Sequence, residues 1–182
     1  PEGTPGMIKT REQAAQERSL GVRALADRPR QRRCAQEPTS GSRVAVRSQI
    51  TLRESAGSGP LAFDGYASMT ERGYEMWDWY GPYTEVVTAG AFEQTLNRGD
   101  LDVPLVLQHD QLRRIARTTN GTLRLSEDDQ GLRVLADLDP ADLDVAYIAP
   151  KLRAGLIDEM SFAFRIEAGR WSPDYSEYRI DR

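Results

Sequence analysis

Residues 123–136 read LRLSEDDQGLRVLA, and this stretch predicts a β-hairpin. Apolar residues occupy alternate positions on both sides of a polar turn: Leu123, Leu125, Leu132, Val134 and Ala136. A period of two residues places these side chains on one face of each strand, and the polar, glycine-containing turn reverses the chain. The acids of the turn are consecutive, whereas calcium loops alternate their ligands around a glycine, so we interpret it as a solvated turn.

Short apolar runs separated by turn residues recur from about Val44 to the end of the chain. They predict further strands over residues 44–52, 61–67, 83–87, 103–107, 157–166 and 175–180. Pro104 has no N–H donor and must lie at the start or the edge of its strand. The run 157–166 places its methionine and phenylalanines on one face and Ser161 on the other.

Two short helices are predicted between the strands. Thr88 caps one over residues 89–97, and Asp139-Pro140 opens a second that ends at Gly155. Pro150 predicts that this second helix is kinked or divides into two short helices, because a proline costs about 3 kcal/mol inside a continuous helix. The apolar residues expected to share one face of the second helix are Leu143, Ile148 and Leu152. This order of elements predicts an α+β fold, mainly an antiparallel β-sheet or barrel with a few short helices.

Charge divides the 182-residue chain into two parts. Residues 1–50 carry 10 basic and 5 acidic residues, and residues 51–182 carry 14 basic and 23 acidic ones. The first part has no aromatic residue, so we predict a flexible basic arm over residues 1–46, with a short helix between Thr10 and Ala26. Residues 47–182 form the folded domain. Its last strand is still in progress at Arg182, which predicts a truncated domain or one that continues further.

Residue counts exclude several classes of function. A single cysteine, Cys34, cannot form an internal disulfide, and a single histidine, His109, cannot supply the ligands of an N/S-coordinated metal site. We therefore expect neither a metal nor a cofactor. No apolar run approaches the roughly 20 residues of a membrane-spanning helix. The basic arm could neutralise phosphates, but the acidic folded part would repel them, which disfavours nucleic acid as a partner.

Two residues are candidates for chemistry, each with a structural alternative. His109 directly follows a predicted buried strand, where a loop could present it as a general base; it could equally be a surface or capping histidine. Ser161 could be a nucleophile if a base lay beside it, or a small residue that permits packing. The aromatic segment 76–83 could be core, a lid or a substrate contact.

Four segments, taken in order, resemble the tailed-phage prohead proteases, which are distantly similar to the herpesvirus assemblins. The segments are YTEVV at 83–87 with GAF at 90–92, LQHD at 107–110 with IART at 115–118, LRLSED at 123–128 with GL at 131–132, and Gly155 with MSFAF at 160–164. They cover roughly residues 60–180. Ala116 and Ala163 stand where family members often have glycine, a difference of one methyl group.

This resemblance implies a herpesvirus-protease-like fold with Ser161 as the nucleophile and His109 as the general base. The third member of the triad is expected about two dozen residues after the serine, which is beyond Arg182. Asp181 is the candidate within the chain, with Glu177 and Asp174 as the other nearby acids. Arg117 and Arg165 could assist, although an arginine in such a position is more often an ion-pair partner.

The implied function is that of a capsid-maturation serine endopeptidase. It would cleave the scaffolding segment of the major capsid protein and itself, inside the procapsid and in the bacterial cytoplasm. Capsid protein, its scaffolding segment and a second copy of the chain are the expected partners. The alternative is an inactive or truncated assembly module of the same fold that binds capsid or scaffold protein.

Overall fold

The computed structural model describes Thr10, Gln13 and residues 31–34, 42–47, 50–54, 59–78 and 81–182. Its strands are β1 Gln31–Cys34, β2 Ser42–Arg47, β3 Thr51–Glu54, β4 Leu61–Met69, β5 Gly73–Asp78, β6 Gly81–Val87, β7 Pro104–Val106, β8 Arg114–Arg117, β9 Leu123–Glu127, β10 Gly131–Leu138, β11 Glu159–Phe164, β12 Gly169–Trp171 and β13 Glu177–Ile180. The helices are α1 Glu93–Leu96 and α2 Leu143–Arg153, with a 3-10 turn at Thr118–Asn120.

The strands form four small sheets, ordered β1-β2-β11, β3-β4-β10-β9, β12-β13-β6-β5 and β7-β8. All neighbouring strands are antiparallel except β13 and β6, which run parallel. This arrangement confirms the predicted α+β class with a mainly antiparallel sheet. The barrel form of that prediction is wrong for the described residues, because the sheets do not close on themselves.

The predicted hairpin is β9 and β10, and it lies at the centre of the larger core. Leu123, Leu132 and Val134 are buried there, while β4 pairs with the other edge of β10. At Gly131 the backbone φ is +150°, and a Cβ would come within 2.1 Å of the Ser68 carbonyl oxygen. Only glycine fits this position, so the turn residue also fixes the approach of β4 to the hairpin.

Two hydrophobic clusters form the core. The first contains the hairpin, β4 and the buried face of α2, including Leu138 and Val145. The second contains Tyr74, Met76 and Tyr83, so both ends of the aromatic segment 76–83 serve in the core. Its tryptophan-rich middle lies outside the residues whose side chains are described. Phe162 packs against both clusters.

Two strands lie within the segment predicted to be a flexible arm. β1 pairs with β2, and β2 pairs with β11 through the register Ser161 opposite Ala45. The composition of a segment does not reveal a sheet edge elsewhere that satisfies its backbone groups, and the arm over residues 1–46 stays a prediction. The predicted strand 44–52 divides into β2 and β3, and four strands were not predicted: β1, β5, β8 and β12. The predicted helix between Thr10 and Ala26 lies almost wholly outside the described residues.

Both helices differ in detail from the prediction. Helix α1 is shorter than predicted, and the side chain that accepts hydrogen bonds near its start, from the N–H groups of Gly90 and Phe92, is the carboxylate of Glu127. The Thr88 hydroxyl instead donates to the Ile180 carbonyl. Helix α2 is capped by Asp142, and it continues through Pro150 without dividing. Its buried residues are Val145, Ile148 and Ala149. Leu143, expected on that face, is 86% exposed.

Leu138→Ala should destabilise the fold by about 2–5 kcal/mol, because the side chain is fully buried in the first cluster and its removal leaves a cavity. Leu143→Ala, the same change at an exposed position, should alter the free energy of unfolding by less than about 0.5 kcal/mol. Urea unfolding of the two variants and the parent measures both values. Equal losses would contradict the assignment of the core.

Candidate functional site

His109 lies in the tight turn that joins β7 to β8. The Asp110 N–H donates to the Leu107 carbonyl at 2.9 Å, and the Leu107 N–H donates to the Arg113 carbonyl at 3.1 Å. Gln108 and His109 have positive φ angles of 51° and 60°. Two consecutive positive φ values inside a closed four-residue turn are the pattern of a type I′ turn.

This turn is strained, because neither central residue is glycine or asparagine. A left-handed conformation costs an L-residue about 1–2 kcal/mol, and it persists only where the surroundings fix it. The Asp110 carboxylate contributes by accepting the Leu112 N–H at 2.9 Å. The strain is therefore located at the histidine that the sequence singles out.

Ser161 is placed by β11, whose two faces have different roles. Phe162 lies 5.4 Å from Phe92 and 4.5 Å from Phe164 between ring centroids, and with Met160 it packs into the core. Because neighbouring side chains of a strand alternate, this packing turns the half-buried Ser161 away from the phenylalanine face. The position of its backbone is fixed further by pairing with β2.

The two elements bring His109 and Ser161 together across 52 residues of sequence. The His109 Nε2 atom lies 2.5 Å from the Ser161 Oγ atom, within hydrogen-bonding distance. An imidazole nitrogen at this position can take the serine proton as the oxygen attacks an electrophile, provided that its other nitrogen carries the proton of the neutral ring. The sequence analysis identified both residues of this pair.

Asp181 lies in different surroundings. Its carboxylate accepts hydrogen bonds from the Thr88 hydroxyl at 3.3 Å and from the Arg170 guanidinium. The structure therefore places Asp181 with Thr88 and Arg170, and its described hydrogen bonds do not include one to His109.

The other two acids considered for the triad also have partners at the β12–β13 end. Glu177 forms an ion pair with Arg179 at 3.1 Å. Asp174 accepts hydrogen bonds from the hydroxyls of Ser172 and Ser176, which lower its pKa to about 2. Both carboxylates serve local structure in this region.

The structure also shows the surroundings of the two arginines considered near the site. Arg117 forms a two-pronged ion pair with Asp102, at 2.6 and 2.5 Å, and this hydrogen bonding lowers the pKa of the Asp102 carboxyl. Arg117 is therefore an ion-pair partner of Asp102, the alternative that the sequence analysis named. Arg165 is exposed immediately after β11.

Sequence reasoning missed the ion pair beside the His109 turn. Arg113 donates from Nε and Nη2 to one oxygen of Asp144, at 2.9 and 2.5 Å, across 31 residues. No local pattern marks this pair. The positive φ angles at Gln108 and His109 also carry no clear sequence signal, because neither residue is one of the glycines, asparagines or aspartates that dominate such turns.

Within the described residues, no group of three histidine, cysteine, aspartate or glutamate side chains is arranged to hold a metal ion. Among the same residues, no helix has the length and apolar character needed to cross a bilayer.

A serine hydroxyl in contact with an imidazole, on a mainly antiparallel fold, has the geometry of a serine nucleophile with its base. The comparison with known families agrees with this class: residues 48–181 match the family described as caudovirus prohead serine protease. The match covers most of the chain, and the chain belongs to this family. No curated protein and no solved structure matches it.

Membership confirms the resemblance drawn from the four sequence segments, and it supports a serine peptidase of capsid maturation, with capsid proteins as partners in general and the procapsid interior as its place. The matched region contains both His109 and Ser161. Strand β2, which pairs with the serine strand, precedes the matched region. The likeness to herpesvirus proteases stays a prediction.

Ser161→Ala should abolish peptide cleavage and leave the melting temperature nearly unchanged, because one half-buried hydroxyl is lost from a strand that packs through its other face. His109→Ala should cost a similar factor. The double variant should be hardly slower than either single variant, since the losses from a nucleophile and its base are not multiplicative. The measurement is kcat on one capsid-protein substrate.

The matched control is Ser126→Ala, which removes an exposed serine hydroxyl from the middle of β9. It should leave kcat unchanged. Multiplicative losses in the double variant of Ser161 and His109 would contradict their partnership.

Asp181→Asn should change kcat by less than about threefold, because its carboxylate is engaged by Arg170 and Thr88 and an amide retains the shape of that contact. The same cleavage assay measures the effect. A loss comparable to that of His109→Ala would instead make Asp181 the group that orients the imidazole.

Proposed function

We propose that this chain is the endopeptidase that cleaves the scaffolding segment of the major capsid protein, and itself, inside the procapsid. The observation that carries the proposal is the 2.5 Å contact between His109 Nε2 and Ser161 Oγ, within the region that matches the family. The family supports a serine peptidase of capsid maturation, and the contact supplies a pair of residues able to perform its chemistry.

In the proposed mechanism, His109 Nε2 removes the Ser161 proton as Oγ attacks the carbonyl carbon of a peptide bond. A tetrahedral intermediate forms, its C–N bond breaks, and the imidazolium returns the proton to the departing amine. Water, activated by the same imidazole, then hydrolyses the acyl-enzyme and regenerates the serine. Backbone N–H groups are expected to stabilise the negative oxygen of each intermediate.

The second candidate is a catalytically silent assembly module of the same fold, which binds capsid or scaffold protein without cutting it. The observation that favours it is that Arg170 and Thr88 engage the carboxylate of Asp181, the candidate for the third member within the chain. Both candidates share the partner and the location within the procapsid, in the cytoplasm of the host. Self-cleavage would require one copy to reach another, or its own arm.

Co-expression with a major capsid protein that carries its scaffolding segment distinguishes the candidates. For the endopeptidase, mass spectrometry should find new termini in the scaffolding segment and in the chain itself, and none with the Ser161→Ala variant. Co-purification without new termini would establish the silent module. Neither cleavage nor binding would contradict both.

A further inference from the structure

The His109 turn is stabilised mostly by contacts within its own hairpin. The hydrogen bonds among Leu107, Asp110 and Arg113 all join residues of the β7–β8 connection. Such contacts define the shape of the turn, but they do not fix its distance from Ser161, which belongs to a different sheet. A strained turn that must meet a side chain on another element needs an attachment outside its own hairpin.

Arg113 provides such an attachment. Its backbone closes the turn through the Leu107 N–H, and its guanidinium reaches Asp144 in the first turn of α2. The ion pair is well sheltered for a pair at the surface, with the two side chains 35% and 28% exposed. The guanidinium also lies 5.4 Å from the ring centroid of Tyr147, one helical turn further along α2.

Helix α2 is itself fixed in the core. Val145, Ile148 and Ala149 are buried, the first and last of them within the first cluster, and the Asp142 carboxylate accepts hydrogen bonds from the N–H groups of Asp144 and Val145. Asp144 is therefore a carboxylate on a rigid support. Two N–H groups of the planar Arg113 guanidinium converge on one oxygen of this carboxylate, so the ion pair restricts the distance between the end of the turn and α2.

We propose that Arg113 is a positioning residue, which acts through Asp144 to hold the His109 turn at the distance where Nε2 meets Ser161 Oγ. This inference rests on the proposed function for its effect on catalysis. The coupling between the Arg113–Asp144 ion pair and the His109–Ser161 contact can be measured whether or not the chain cleaves a peptide.

The chain offers a matched control in the same hairpin. Arg117, the last residue of β8, likewise donates from Nε and Nη2 to an aspartate. Its pair with Asp102 lies at the end of β8 away from the turn, and both side chains are more exposed, at 40% and 42%. Loss of the Arg117 pair removes the same chemistry from the hairpin without detaching the turn from α2.

Nuclear magnetic resonance of the full chain tests the coupling directly, because His109 is the only histidine and its imidazole signals are unambiguous. The quantity is the change in the His109 Nε2 chemical shift caused by Ser161→Ala, measured in four backgrounds: parent, Arg113→Ala, Asp144→Asn and Arg117→Ala. Arg113→Ala and Asp144→Asn should each reduce this response to less than about half, and Arg117→Ala should leave it at the parental value. An undiminished response with Arg113→Ala and Asp144→Asn would overturn the proposal.

Kinetics provide the second measurement. Arg113→Ala should lower kcat by about 10- to 100-fold, since a misplacement on the order of 1 Å has such an effect, with KM within about twofold. Arg113→Lys should recover part of the loss, because it keeps the charge without the planar fork. Asp144→Asn removes the charge of the partner but preserves the shape of the helix. If Arg113→Ala fails to fold, the kcat of Asp144→Asn tests the positioning role instead.

The two failures are distinguishable. A parent chain that cuts no peptide would overturn the endopeptidase proposal, while the shift measurement still decides the positioning role. An active parent whose kcat is the same with Arg113→Ala, Asp144→Asn and Arg117→Ala would overturn the positioning role alone.

Discussion

The packing of Phe162 between the two hydrophobic clusters is the contact on which the arrangement of this fold depends. Each cluster is built around a different sheet, and Phe162 packs against both. Its strand, β11, also pairs with β2, so three constraints act on six residues. Burying a phenylalanine side chain contributes about 1.5–3 kcal/mol, and the alternation of a strand then directs Ser161 to the other face. The position of the serine follows from the packing of its neighbour.

His109 is placed by different means. It lies in a turn whose two central residues have left-handed conformations, which local preference disfavours. The β7–β8 hairpin, the Asp110 side chain and the ion pair between Arg113 and α2 all contact this turn or its ends. Strain at a residue that contacts a nucleophile is common where a reactive geometry must be held ready before the substrate arrives. Here a well-packed strand presents one partner and a strained turn presents the other.

The charged side chains form ion pairs mainly at the surface of the fold. The ion pairs of Arg124 with Asp137 and Arg133 with Asp64 link neighbouring strands, and their side chains are more than a third exposed. Pairs of this kind contribute on the order of 0–1 kcal/mol each. The acidic excess of the folded part is thus largely a surface property.

The sequence by itself determined the hairpin of β9 and β10, the two-faced serine strand and the α+β class, and it singled out the serine and the histidine that the fold brings into contact. Alternation with a period of two is a local property, and the family resemblance rests on short segments, so both can be read along the chain. Only the tertiary structure decided that β2 within the predicted arm completes the sheet of Ser161, that Asp181 lies with Arg170, and that Arg113 ties the histidine turn to α2. These contacts join residues that are far apart in sequence, and their energies depend on geometry that no local pattern encodes.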